Sequence, residues 1–154
     1  MQKLTWYGAF PARLVLEVCR VDKLNRGFKL CRRGSLLFWD GKLADAPDCV
    51  NPEPLHVHVM YPQAYPATRP YIFIVSPELD PAEVGHAWHR WADGDVCIVE
   101  PKYWQMSTTA AEVIEKVADW YFNYTARKAG LIGKMPDVGR AQIKTSSDES
   151  GAHE

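Results

Sequence analysis

Residues 86–104 read HAWHRWADGDVCIVEPKYW, and they bring one thiol, Cys97, within a dozen positions of two imidazoles, His86 and His89. A cysteine becomes a strong nucleophile when an adjacent base or positive charge favours its thiolate, and imidazole is the side chain that titrates near neutrality. The Asp93-Gly94 pair just ahead of Cys97 suits a tight turn, and polar Glu100-Pro101 follows it, so the thiol is expected at an accessible rim. The competing reading is a buried core cysteine, a common fate of free thiols. Asp93, Asp95 and Glu100 read chiefly as solvated charges, and Trp88, Trp91 and Trp104 are expected chiefly to pack the loop. A second chemical pattern is His56-Val57-His58. A His-x-His pair on one strand face can bind a metal, but the neighbouring sequence supplies no third ligand, so no metal site is expected.

These residues need a frame. The segment PARLVLEVCRVDKL, from Pro11, has proline at a helix start and apolar Leu14, Val15, Val18 and Val21; its Val content also suits a strand. GFKLCRRGSLLFWDGKLAD has the form of a hairpin turning at Arg33-Gly34-Ser35, and APDCVNPEP that of a loop. In LHVHVMY, Leu55, Val57 and Val59 alternate with His56, His58 and Met60, which is the period of a half-buried strand. The prolines of YPQAYPATRP exclude regular structure, and YIFIV is a short apolar strand ended at Ser76-Pro77. In STTAAEVIEKVADWYFNYTARKAG, Thr109 and Glu112 have capping-box spacing, and Val113, Val117, Tyr121 and Tyr124, flanked by Ile114 and Trp120, form a helical stripe ending at Gly130. The order of elements predicts an α+β domain over residues 1–136, with an N-terminal helix, an antiparallel meander sheet of about four strands, the cysteine segment and a long C-terminal helix. Residues 137–154 are polar and expected to be a disordered tail.

Composition bounds the function. The chain has 154 residues, enough for one domain, with 47% hydrophobic and 24% charged side chains. Its net charge of −1 argues against a nucleic-acid binder that relies on bulk electrostatics, and no apolar run is long enough to span a bilayer. Neither nucleic acid nor membrane is therefore an expected partner. MQKLTWYGAF lacks the form of a secretory signal, and Cys19, Cys31, Cys49 and Cys97 include no CxxC pair. Reduced thiols and a cytoplasmic location are expected; Cys19 and Cys31 read as core, and Cys49 as a loop residue.

Three features in a fixed order resemble ubiquitin-conjugating enzymes. YPATRP (Tyr65, Pro66, Pro70) is similar to that family's Tyr-Pro-x-x-Pro-Pro segment, with Arg69 in place of one proline. DGDVCIV is similar to the Asn-Gly-Ser-Ile-Cys-Leu stretch that carries the catalytic cysteine, and Trp104 falls near the tryptophan placed between that cysteine and the next helix. The resemblance covers about residues 10–130 and implies the ubiquitin-conjugating (UBC-like) fold. The family's His-Pro-Asn is replaced by HAWH: His89 stands at the asparagine position, and His86 lies one residue outside the histidine position. SPELDPAEVG is an insertion, and the two usual C-terminal helices are lacking. This looks like the divergent bacterial branch, found in CBASS-type antiphage defence operons with a cGAS-like nucleotidyltransferase.

The resemblance implies a cysteine acyltransferase without cofactor. Cys97 would carry, as a thioester, the C-terminus of a ubiquitin-like protein or of a cGAS-like nucleotidyltransferase, received directly or from an E1-like activating enzyme, and pass it to a lysine-bearing protein target. His89, or alternatively His86, would stabilise the oxyanion or take the amine's proton; Asp93, Asp95, Glu100 and Trp104 would line the substrate side. Two rivals remain. The fold also serves as a non-catalytic scaffold that holds a ubiquitin-like partner, although such variants generally lack the cysteine. A Cys-His hydrolase would use the same three residues.

Overall fold

A computed structural model describes residues 4–93, 95–96 and 103–143. Cys97 and Glu100 lie outside the described residues, between Val96 and Tyr103.

A short helix α1 (Trp6–Ala9), capped by the Thr5 hydroxyl, leads into α2 (Pro11–Leu24). Pro11 occupies the first turn, where its missing N–H costs nothing, and Asn25 closes the helix in the left-handed conformation at φ 53°. The helical reading of this segment therefore holds over the strand reading. Four strands follow: β1 (Lys29–Arg33), β2 (Leu36–Leu43), β3 (Leu55–Met60) and β4 (Tyr71–Ser76). They pair antiparallel in the order β1-β2-β3-β4, a meander in which each strand lies beside its sequence neighbour. The first hairpin turns at Gly34-Ser35, with Gly34 at φ 62°. A 3-10 turn (His86–Trp88) precedes the cysteine segment, and α3 (Ala110–Lys128) follows it. Glu112 reaches back to accept the Thr109 backbone N–H, which completes the expected capping box.

The strand alternation sets the two faces of the sheet. Leu55, Val57 and Val59 are fully buried, whereas His56, His58 and Met60 are half-buried on the opposite, outer face. The inner face joins Leu37, Trp39, Leu43 and Ile72 to Val113, Ile114, Val117 and Tyr121 of α3 in one core. The tyrosine–tryptophan stripe of α3 is core, as its period requires: Trp120 and Tyr124 stack at 5.0 Å.

Several expectations are corrected. Cys19 is exposed, because it lies on the solvent face of α2, and so does Val15, at 63% exposure; Cys31 is partly exposed on the edge strand. The cause is that α2 turns one face to the core, with Leu14, Glu17, Val18 and Val21, and leaves the opposite face to water. The described residues just beyond Pro136, up to 143, stay on the domain. Asn123 holds them from both sides, donating to Gly139 O at 2.8 Å and accepting from Ala141 N at 2.8 Å. Arg140 pairs with Asp119 and Asp45, and Met135 is buried in the core.

Candidate functional site

The segment that approaches Cys97 is built from a tight loop docked on α3. Gly85 and Arg90 exchange backbone hydrogen bonds, N to O at 2.7 Å and 3.2 Å, around the 3-10 turn. Closing so short a loop puts His89 in the left-handed region at φ 48°, an uncommon conformation for a residue with a Cβ. The loop is fastened from outside. Arg127 of α3 lies over the Trp88 ring at 3.8 Å and donates to Ala87 O, while Trp120 Nε1 donates to Trp88 O at 3.0 Å. The insertion before it is held in the same way: buried Glu83 accepts from Tyr124 Oη at 2.7 Å and pairs with Lys128 at 3.0 Å. Arg90 donates to Glu83 O at 2.8 Å.

Arg90 then pairs with Val96, the residue before Cys97 in sequence, and Trp91 N donates to Asp95 O at 2.8 Å. Val96 is fully buried. Asp93 and Asp95 act on this turn through their side chains: Asp93 accepts from Asp95 N, and Asp95 accepts from its neighbour Val96 N, each at 2.9 Å. Both carboxylates therefore order the backbone leading to position 97. Burial raises the Asp95 carboxyl above its ordinary value, against the opposing charge of Arg69.

His86 and His89 come together. Their rings are 5.1 Å apart, and each Nε2 is 3.5 Å from the same carboxylate oxygen of Asp137, an ion-pair distance. His89 is enclosed, with 14% of its side chain exposed, whereas His86 is open at 79%. Asp137 was invisible to sequence reasoning because it lies in the segment expected to be tail.

Trp104, on the far side of the cysteine segment, donates from Nε1 to Pro66 O at 2.8 Å, and its ring is 6.2 Å from Tyr65. It thus locks the chain after the cysteine onto YPATRP. A second clamp had no sequence signal beyond an Arg–Glu pair four residues apart on α2. Glu17 is completely buried and accepts from Tyr61 Oη at 3.0 Å, from Ala110 N at 2.9 Å and from Tyr65 Oη. Arg13 donates to Thr108 O at 2.7 Å, to Tyr65 Oη at 2.9 Å and to Met106 O. Together they hold the start of α3 and the loop before it against α2. A groove lined by Phe73, Val75, Pro77 and Leu79 runs from the β4 edge to Asp93 and Asp95.

The His56–His58 pair meets a carboxylate from a different strand. Asp40 of β2 stands opposite His58 in the ladder and contacts both imidazoles.

No protein-family model and no curated protein matches this sequence. Among solved structures, the chain is similar to the yeast Vps23 UEV domain in complex with a Vps27 PSDP peptide, at a TM-score of 0.50 and 15% identity, over 77% of this chain and 83% of that one. At that identity the likeness bears on fold alone, and together with the helix–meander–helix order it supports a ubiquitin-conjugating-like fold.

Proposed function

We propose that the protein handles the C-terminus of a ubiquitin-like protein partner, or of a cGAS-like nucleotidyltransferase, through Cys97. The observation that carries this reading is the turn ahead of the cysteine. Two aspartates and a buried Val96–Arg90 bridge order the backbone that leads into position 97, and His89 sits one residue before that bridge. In the catalytic form, the Cys97 thiolate attacks the donor's activated C-terminal carbonyl and expels its leaving group, forming a thioester. A lysine amine then attacks that carbonyl; the C–S bond breaks, sulfur leaves as thiolate, and the amine's proton passes to a base. His89, with one ring nitrogen turned toward Asp137, has the other for that proton or for the oxyanion. Asp137 orients the imidazole in this scheme. CBASS-type defence remains the biological setting the resemblance suggests.

A second reading has its own support. A solved structure that the fold resembles is a UEV domain holding a peptide, and the groove beside β4, apolar at Phe73 and Leu79 and charged at Glu78, Asp93 and Asp95, offers a protein segment a place to lie. In that reading the chain is a non-catalytic scaffold, and the structural likeness favours it; the presence of Cys97 favours the enzyme. Incubating the protein with its candidate donor and an activating enzyme separates them. A reducible adduct that is lost in Cys97→Ala and becomes a stable ester in Cys97→Ser supports the carrier. Binding with no adduct leaves the scaffold, and cleavage of the donor would instead reveal a hydrolase.

A further inference from the structure

The outer face of the sheet carries a cluster that the Cys97 chemistry does not use. Asp40 and His58 are direct cross-strand partners on β2 and β3, and His56 lies two residues along on the same face. His58 Nε2 is 3.0 Å from Asp40 Oδ1, and His56 Nε2 contacts the same oxygen. The three candidate donor atoms all lie within 4.8 Å of one another. In a tetrahedral site with zinc-to-nitrogen and zinc-to-oxygen distances near 2.0–2.1 Å, ligand atoms stand ~3.3 Å apart, so the side chains need only small rotamer adjustments to close on an ion.

The setting suits a cation in two further respects. The donors sit on adjacent strands of a hydrogen-bonded ladder, which fixes their backbones, and His58 is held between the rings of Phe38 at 4.6 Å and Phe73 at 6.4 Å. The side chains are 20%, 25% and 37% exposed, half-sheltered with one side open to solvent. The other histidine cluster is a poorer cage: His86 and Asp137 are 79% and 67% exposed, and neither lies on a strand.

We propose that Asp40, His56 and His58 form a three-ligand site for a divalent transition cation of the zinc class, with the fourth position open to water. Two imidazoles and one carboxylate are a donor set that favours zinc over calcium or magnesium, which demand mainly oxygen. Asp40 provides the only negative charge of the three; on the same face Lys29 stands opposite it on β1, and Lys42, two residues along β2, stands opposite His56. This inference is independent of any role for Cys97.

The test uses the full chain stripped of metal, with its thiols alkylated so that the exposed Cys19 and Cys49 cannot compete. Zinc is titrated against a chromophoric chelator, and backbone amide resonances are followed in parallel. The expected result is one equivalent of zinc, with shifts centred on Asp40, His56 and His58. His58→Ala and Asp40→Asn should each weaken binding at least about tenfold, whereas a His86→Ala/His89→Ala variant keeps it. No uptake by the wild-type chain, or uptake that survives loss of both His56 and His58, would overturn the proposal. Because the resonance shifts are read in the unmutated protein, a variant that fails to fold does not decide the matter.

Discussion

Replacing Glu17 should be among the most damaging single changes in this chain. Its carboxylate is completely buried and serves Tyr61, Tyr65 and the first amide of α3, with Arg13 Nε 3.5 Å away. Hydrogen bonds to a charged group contribute roughly 1.5–3 kcal/mol each, so three of them set a nominal ceiling of about 4.5–9 kcal/mol. Relaxation and entry of water lower that figure, and removing one partner of a buried ion pair typically costs about 3–5 kcal/mol. Glu17→Ala is therefore expected to lose about 3–5 kcal/mol, a large part of the 5–15 kcal/mol that holds an ordinary domain together. At roughly 2–4 °C per kcal/mol for a chain of this size, the melting temperature should fall by about 6–20 °C. Glu17→Gln keeps one acceptor oxygen and should cost less than half as much. The assay is urea unfolding of both variants, with Tyr65→Phe made in each background. Once Glu17 is gone, Tyr65→Phe should cost less than it does in the wild type, by about 0.5–3 kcal/mol of coupling. A Glu17→Ala loss below about 1 kcal/mol with an unchanged denaturant slope would refute the clamp.

Other outcomes follow from the same geometry. A Cβ at Gly41 would lie 2.5 Å from the Phe28 ring, so Gly41→Ala should cost about 1–3 kcal/mol in chemical unfolding. Trp104→Phe keeps an aromatic ring, though a smaller one, but loses the bond to Pro66 O, and should cost at least about 0.5–1.5 kcal/mol; a neutral result would mean the indole N–H is satisfied equally well by water. For Asp45, burial raises the carboxyl, and hydrogen bonds and charge from Arg26 and Arg140 more than offset it, so the folded value lies below the ordinary one. That contribution is complete above the unfolded carboxylate value of about 3.9 and is lost as pH falls below it; melting temperature against pH should be shallower at the acid end in Asp45→Asn than in the wild type. In a thioester assay, His89→Ala should slow transfer to an amine more than loading of Cys97, and Asp137→Asn should do the same more weakly. Equal slowing of loading and transfer would remove the oxyanion role.

Much of the architecture was legible because its signals are local. Pro11 can start a helix but not continue one, Glu112 reaches back one turn to the Thr109 N–H, and β3 alternates because a strand turns successive side chains to opposite faces. The order of YPATRP, DGDVC and a capped helix likewise pointed to a ubiquitin-conjugating-like fold. Partnership across the sequence was not legible. Asp40 reaches His56 and His58 only through the β2–β3 register, Asp137 reaches His86 and His89 only because the chain folds back over α3, and Glu17 is buried only because Tyr61, Tyr65 and Ala110 converge on it. A period reports which way a side chain faces. Which side chain meets it there depends on register, loop closure and packing, and those exist only in the folded chain.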